Sequence, residues 1–317
     1  MRKNKFRLWA LFLVLLFIIQ LPFVLSGCSN KKEITIGLWI NNPNEMKNNK
    51  YIFDAFTEVY PEYTVTVVDL NYESYNEQVP RMDTGGTLPD VIWVREEYLP
   101  LLAEKNIIDS IETYIDADGD FDESRYFDIA LEFCKYNGTL YALPRDIGVQ
   151  VIAFNLDRMY GEELPDSDWD WDDMLALAQK LTKSDKSNYG LGWTDWKALV
   201  YSNGGRLFSD DGKTAYFNDD KTVYALQMYS DIANVYGVTP TAEESQGLGN
   251  PFTGGKSSFA VVGPWDFSRL KKLKMNYDIR PFPKGPDGTG QMRLSGLQIA
   301  INSKSKQKDM AYQDRHR

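Results

Sequence analysis

The sequence predicts an α/β protein of two lobes, each a mixed, mostly parallel sheet flanked by helices. Three observations lead there. Residues 33–93 alternate strand, helix, strand, helix, strand at spacings that call for parallel pairing with right-handed crossovers. Residues 259–262 read Phe-Ala-Val-Val, an apolar run suited to a strand buried on both faces, and Gly263-Pro264 ends it because proline has no N–H for a sheet ladder. The chain has 317 residues, enough for two lobes of ordinary domain size.

The first residues stand apart from that pattern. Arg2, Lys3, Lys5 and Arg7 come without any acid, and an apolar run from Leu8 to Val24 follows, interrupted by Gln20 and Pro22. A basic start, an apolar middle and the small residues of Leu25-Ser26-Gly27-Cys28 make 1–27 an export signal. Leu-Ser-Gly-Cys resembles the bacterial lipobox, whose cysteine is lipidated and becomes the first residue of the mature protein. The alternative is an uncleaved membrane anchor, for which the run is short. Palmitate-type acyl chains on Cys28 would hold the protein at the cell membrane, since each buried CH₂ contributes about 0.8 kcal/mol. The expected location is therefore extracytoplasmic and lipid-anchored, with 28–32 as a tether.

Cysteine usage agrees with export. Cys28 and Cys134 are the only cysteines, so lipidation leaves no disulfide, and Cys134 reads as a small buried apolar residue. Removing 1–27, with four positive charges and no negative ones, takes the net charge from −10 to −14. So acidic a body excludes nucleic acid as a partner, because phosphates need Lys and Arg.

The remaining elements follow in order. Residues 33–40 are the first strand, 47–60 a helix with Ile52, Phe53, Phe56 and Val59 on one face, and Pro61 its stop. A strand over 64–70, a polar helix up to Gly85-Gly86 and a strand over 88–93 come next. An apolar helix is expected over 98–108. Asn137-Gly138 between 133–136 and 139–143 is a hairpin signal, followed by a buried strand over 149–154. Trp171 lies at the start of a helix running to Leu181. A short strand precedes Gly192-Trp193, and a further helix ends at Asn203-Gly204-Gly205. Residues 222–236 form a helix with Val223, Leu226, Tyr229 and Ile232 inward; strands over 277–282 and 297–301 close the chain.

Several motifs dissolve under their own requirements. Gly255-Lys256-Ser257 imitates the end of a phosphate loop, but the required first glycine is Asn250 and the segment precedes a strand. The acidic run 116–122 imitates a calcium loop, but Phe121 stands where the sharp turn needs glycine. No cofactor and no metal is expected. The only histidine is His316, and no catalytic constellation is present; carboxylate pairs such as Asp90 with Glu96, or Asp195 with Asp266, are read as chance proximity.

The aromatic residues carry more. Trp39, Trp93, Trp193 and Trp265 each fall just after a predicted strand, beside Asn41, Arg95, Glu96, Asp195 and Asp266. In open α/β sheets ligands bind past the carboxyl ends of the strands, and flat rings next to planar polar groups suit a sugar. The alternative is that Trp265 caps the core. Trp169 and Trp171, at a helix start, are read as core.

Six short motifs in order then point to a family: Leu88-Pro89-Asp90-Val91-Ile92-Trp93; Asn137-Gly138-Thr139-Leu140-Tyr141-Ala142-Leu143-Pro144; Val151-Ile152-Ala153-Phe154-Asn155-Leu156-Asp157; Trp171-Asp172-Asp173-Met174-Leu175 with Lys180-Leu181-Thr182; Asn203-Gly204-Gly205-Arg206-Leu207-Phe208; and Gly255-Lys256 with Gly263-Pro264-Trp265. From about 33 to 313 the chain resembles the family 1 extracellular solute-binding proteins of bacterial ABC importers, the maltodextrin-binding group. The resemblance implies a two-lobed, type II periplasmic-binding-protein-like fold with the ligand in a cleft between lobes. It implies a first lobe of 33–147 with 297–317 and a second of 148–296, both incomplete. It also implies substrate-binding roles for Trp39, Asn41, Trp93, Arg95, Glu96, Arg145, Asp146, Trp193, Trp196, Trp265 and Asp266. Members of the family continue beyond the phrase matching 306–312, so the chain reads as truncated at its C-terminus.

The expected function is a monomeric, lipid-anchored receptor that binds a carbohydrate, an oligosaccharide or related polyol, and delivers it to the membrane permease of an ABC transporter without catalysis. The alternatives are a secreted glycoside-processing enzyme and a surface lipoprotein without small-molecule function.

Overall fold

The computed structural model describes residues 31–40, 43–209, 213–288 and 292–313, with the backbone alone at 43–45. The expected signal segment 1–27, Cys28, Asn41 and His316 lie outside the described residues. The chain divides into two compact units, Met1–Val91 with Ser305–Arg317, and Ile92–Lys304.

In the first unit, β1 (Lys32–Leu38) and β2 (Tyr63–Asp69) pair in parallel, Lys32 opposite Tyr63 and Leu38 opposite Asp69, with α1 (Pro43–Val59) as the connection. The expected strand–helix–strand crossover is present. The inward face of α1 is only partly the one expected: Phe56 is buried as expected and Asn49 with it, while Ile52 and Val59 are exposed. Spacings of three and four fit several stripes on one helix, and the partner selects among them. Here Phe56 packs edge-on to Tyr63 of β2 at 6.3 Å. In α2 (Tyr75–Thr84), Tyr75 and Val79 are buried. Asp90 is wholly engaged in this unit. It accepts from Thr35 N at 2.9 Å, Thr35 Oγ1 at 2.7 Å and Ser305 Oγ at 2.6 Å. The short helix α10 (Lys308–Gln313) buries Ala311 and Tyr312.

The second unit contains β3 (Val91–Arg95, from its second residue), then α3 (Leu99–Glu104), α4 (Glu112–Ala117) and α5 (Asp128–Glu132). The expected long helix over 98–108 is thus a single short one. The Asn137-Gly138 signal is borne out: β4 (Lys135–Tyr136) and β5 (Thr139–Leu140) pair antiparallel, and both turn residues have positive φ, 50° and 80°. That is the primed turn whose twist matches a hairpin. Cys134 is buried, as expected.

Two sheets organise the rest of this unit. One places β3, β11 (Leu294–Ile301) and β6 (Ala142–Val149) side by side, with β11 antiparallel to β6. The other runs β10 (Tyr277–Arg280), β7 (Val151–Asn155), β9 (Ser257–Val262), β8 (Tyr189–Leu191). Its β8 and β9 are parallel, and β7 is antiparallel to both β9 and β10. β9 is buried at every position: Ser257 and Ser258 at its start as well as the apolar run 259–262, which a strand covered on both faces calls for.

Helix α6 (Trp171–Leu181) begins at a reciprocal cap: Asp170 Oδ1 accepts from Asp173 N at 3.0 Å and Asp173 Oδ2 from Asp170 N at 3.2 Å. Trp169 and Trp171 are core, as expected. Helices α7 (Trp196–Ser202) and α8 (Asp220–Asn234) follow. On α8 the expected inward set is corrected. Thr222, Ala225, Met228 and Ile232 are buried, whereas Val223 and Tyr229 are exposed. Small residues allow a neighbour to approach closely, and Thr222 satisfies its hydroxyl by donating to Arg206 O at 3.0 Å. The last helix, α9 (Pro264–Lys272), starts directly after β9. Among the described residues no helix is long and apolar enough to cross a membrane.

Candidate functional site

The tryptophans separate into two kinds. Trp39, Trp93, Trp169 and Trp171 are each 4% exposed or less, whereas Trp193 is 46% and Trp265 57% exposed. Trp39 follows β1 but packs edge-on to Tyr72 and Tyr75, with ring centroids 5.6 and 5.9 Å away. Trp93 is not past its strand. β3 begins at Val91 and runs on through Arg95, so Trp93 is its third residue.

Arg145 reaches Trp93 through an irregularity. Along β6 and β11, Leu297 pairs with Asp146 and Gln298 with Pro144, so Arg145 is the extra residue of a bulge. Pro144 cannot donate to the ladder, and a bulge re-aims the side chain it carries. The Arg145 guanidinium lies 4.0 Å from the centre of the Trp93 ring and forms an ion pair with Asp146. Asp146 Oδ1 also accepts from Leu297 N at 3.3 Å, beside the bulge.

Trp193 and Trp265 leave the carboxyl ends of adjacent parallel strands. Leu191 of β8 pairs with Phe259 of β9, and Val261 N donates to Trp193 O at 3.0 Å, which continues the ladder past β8. Trp265 follows β9 as the second residue of α9. Its indole lies across Gly263, where an added Cβ would stand 2.3 Å from Cζ2 of the ring; only glycine admits this placement. Asp266 reaches back to accept from Gly263 N at 3.0 Å. Burial raises the Asp266 pKa, against the Gly263 N–H and the charge of Arg269. Trp196, the first residue of α7, is partly buried against the core with its ring 6.2 Å from that of Phe217.

Behind Trp193 lies a cluster of six charges. Asp195 caps α7, accepting from Lys197 N at 2.9 Å, and its other oxygen accepts from Arg293 Nη1 at 2.8 Å. Arg293 Nη2 reaches Glu96 Oε1 at 3.3 Å, and Glu96 Oε2 accepts from Gly296 N at 3.3 Å. Glu97 Oε1 holds both Arg95 and Lys197 Nζ, the latter at 3.1 Å. With every group ionised the three bases and three acids balance. Burial pushes the Glu96 pKa up to about 7, reinforced by Glu97 and opposed by Arg293. At Glu97, burial also works against the charge, but Lys197 and Arg95 outweigh it and hold the carboxyl below its usual range. Glu97, Lys197 and Arg293 were not legible as site residues. Of the acidic pair Glu96-Glu97, only Glu96 is named from sequence, and Arg293 lies 197 positions from it.

The carboxylate pairs weighed for glycosidase chemistry are thus occupied. Asp90 is held by Thr35 and Ser305, Asp195 by a helix end and Arg293, and Asp266 by its own helix start. Among the described residues no group of three or more His, Cys, Asp or Glu could hold a metal ion.

The fold is that of two-lobed α/β solute-binding proteins. The structure superposes with a TM-score of 0.81 on an ABC substrate-binding protein from Listeria monocytogenes in complex with cycloalternan, at 23% identity, covering 90% of this chain and 74% of that one. Residues 42–313 match the model of the bacterial extracellular solute-binding protein family, and the chain belongs to that family. Two relatives come from Bacillus subtilis. The maltodextrin-binding protein MdxE is 22% identical over 306 residues, 88% of this chain and 69% of the relative. The galactooligosaccharide-binding protein is 23% identical over 303 residues, 90% and 69% respectively.

Proposed function

We propose that this protein is the lipid-anchored, extracytoplasmic receptor of an ABC importer, binding an oligosaccharide or related polyol and handing it to a membrane permease. One observation carries the binding part: two indoles remain exposed at the carboxyl ends of adjacent parallel strands while the other described tryptophans except Trp196 are packed away. Exposed rings of that size favour a flat apolar partner, and the C–H face of a pyranose is one. In this reading Trp193 and Trp265 stack on sugar rings. Arg95, Glu96, Arg145, Asp146, Trp196 and Asp266 supply or support the polar edge, with Trp93 backing Arg145. The binding proteins for maltodextrins and galactooligosaccharides among the relatives support the choice of ligand class.

The lobe boundaries belong to the same proposal. A first lobe of 33–147 with 297–317 and a second of 148–296 put the division close to Gln150 and Arg293, where the chain leaves one sheet for the other. Cys28 is the proposed site of lipidation; Cys28→Ala then abolishes lipid labelling, and retained labelling contradicts the anchor.

A calorimetric and tryptophan-fluorescence screen against maltodextrins and galactooligosaccharides tests the receptor reading. Saturable binding with the sugar recovered intact is the expected result. Glycan cleavage, or no binding by any sugar, refutes it.

A further inference from the structure

A single residue, Gln150, separates β6 in one sheet of the second unit from β7 in the other. Beside it stands Arg293, directly before β11, and Gln150 N donates to Arg293 O at 3.3 Å. Among the described residues the crossing between the sheets is therefore two chains wide, and the charge cluster is attached to it. Arg293 extends one arm to Glu96, just past β3, and the other to Asp195, just past β8. Glu96 touches the crossing twice, through Arg293 and through the Gly296 N–H of β11. Gln150 Oε1 and Glu97 Oε2 are buried and meet no hydrogen-bond partner among the described protein groups. Entering water would satisfy both, and would also solvate Glu96.

We propose that Glu96 is the proton-sensing element of a latch at this crossing: protonated, it lets the cluster stay closed and dry; ionised, it draws in water and loosens the crossing, which couples solute binding to extracytoplasmic pH. The direction follows from linkage. The arrangement in which a carboxyl is hardest to ionise is the one favoured at low pH, and the buried Glu96 is such a carboxyl. The groups facing it are Arg95 and Glu97 on its own segment, Arg293 before β11, and Asp195, Lys197 and Tyr201 from α7 and its cap. Trp193 lies two residues before Asp195, so loosening the cap of α7 moves an indole assigned to the sugar. This last link rests on the receptor reading; the latch itself does not.

The test is amide hydrogen exchange on the unliganded full chain between pH 5.5 and 8.5, with protection factors corrected for the intrinsic rate. Protection at Gln150 and Gly296 is expected to fall as pH rises, with a midpoint below the closed-state Glu96 pKa of about 7 and a plateau above it. Glu96→Gln should abolish the transition and retain the protected, low-pH level. Arg293→Met, which removes the opposing charge, should move the midpoint up by about one pH unit, and Glu97→Gln should move it down. Arg293→Lys, should the Met variant fail to fold, should give a smaller upward shift. Binding of maltotetraose should weaken about three- to tenfold across the same range, the effect of a half- to one-unit change in the Glu96 pKa on binding. Flat protection in the wild type, or a transition that survives Glu96→Gln, overturns the latch. So does pH-dependent maltotetraose binding without any transition in the unliganded chain, which would make Glu96 a direct sugar contact. An intact transition with no maltotetraose binding at any pH supports the latch and counts against the sugar reading alone.

Discussion

Two pairs of tryptophans in the second unit make opposite use of one side chain. Trp169 and Trp171 are packed among Phe154, Phe259 and the inner face of α6, and each finds a partner for its indole N–H: Pro281 O at 2.8 Å and Ser202 Oγ at 3.3 Å. Trp193 and Trp265 leave strand ends with much of the ring in solvent. Burying such a ring contributes several kcal/mol to folding, so an exposed one holds that gain in reserve for a ligand. The difference lies in the backbone position, since all four stand within two residues of an aspartate at or near the start of a helix.

The comparison sets the scale of the perturbations that can break it. Trp171→Ala removes a fully buried ring and its bond to Ser202, and should lower the unfolding free energy by about 3–5 kcal/mol in chemical denaturation. A loss below about 1 kcal/mol would place Trp171 outside the core.

The charge cluster behind Trp193 should show next in pH. The folded Glu96 pKa of about 7 lies above the ordinary value of 4.5, so the folded chain binds the extra proton between these values. Its contribution is fully present below about 4.5 and is lost as pH rises through about 7. Glu96→Gln should therefore gain on the wild type with rising pH, by at most roughly 3–4 kcal/mol at pH 8. A difference between the two melts that does not vary with pH would contradict the burial argument.

Trp265→Ala should reverse the pattern of Trp171→Ala. Sugar binding should weaken about tenfold to a hundredfold, from about 1–3 kcal/mol of lost stacking, with little change in the unliganded melting temperature. A large loss of unliganded stability with unchanged affinity would move Trp265 to the core class. Gly263→Ala sharpens the point without touching the indole: its Cβ occupies the place of Cζ2, so calorimetry should find weakened binding although both rings remain. The smallest effect belongs to Asp170→Ala, which removes the cap of α6 at about 1 kcal/mol and should leave sugar affinity as it was.

The sequence by itself determined the elements whose cause is local. β9 and its Gly-Pro stop, the Asn137-Gly138 turn, the start of α6 and the core placement of Trp169 and Trp171 all rest on signals a few residues long. The exit of Trp193 and Trp265 past strand ends was legible for the same reason. Tertiary packing alone decided the rest. Periodicity admits more than one inward stripe on a helix, and the neighbours chose Asn49 with Phe56 on α1 and Thr222, Ala225 and Met228 on α8. The bulge that turns Arg145 onto Trp93 depends on register against β11, far along the chain. The Glu96–Arg293–Asp195 ion pairs join residues about a hundred to two hundred positions apart, and the shifted Glu96 pKa arises from the burial that this assembly creates. Desolvation and long-range pairing exist only once the sheets are assembled, so no window of sequence carries them.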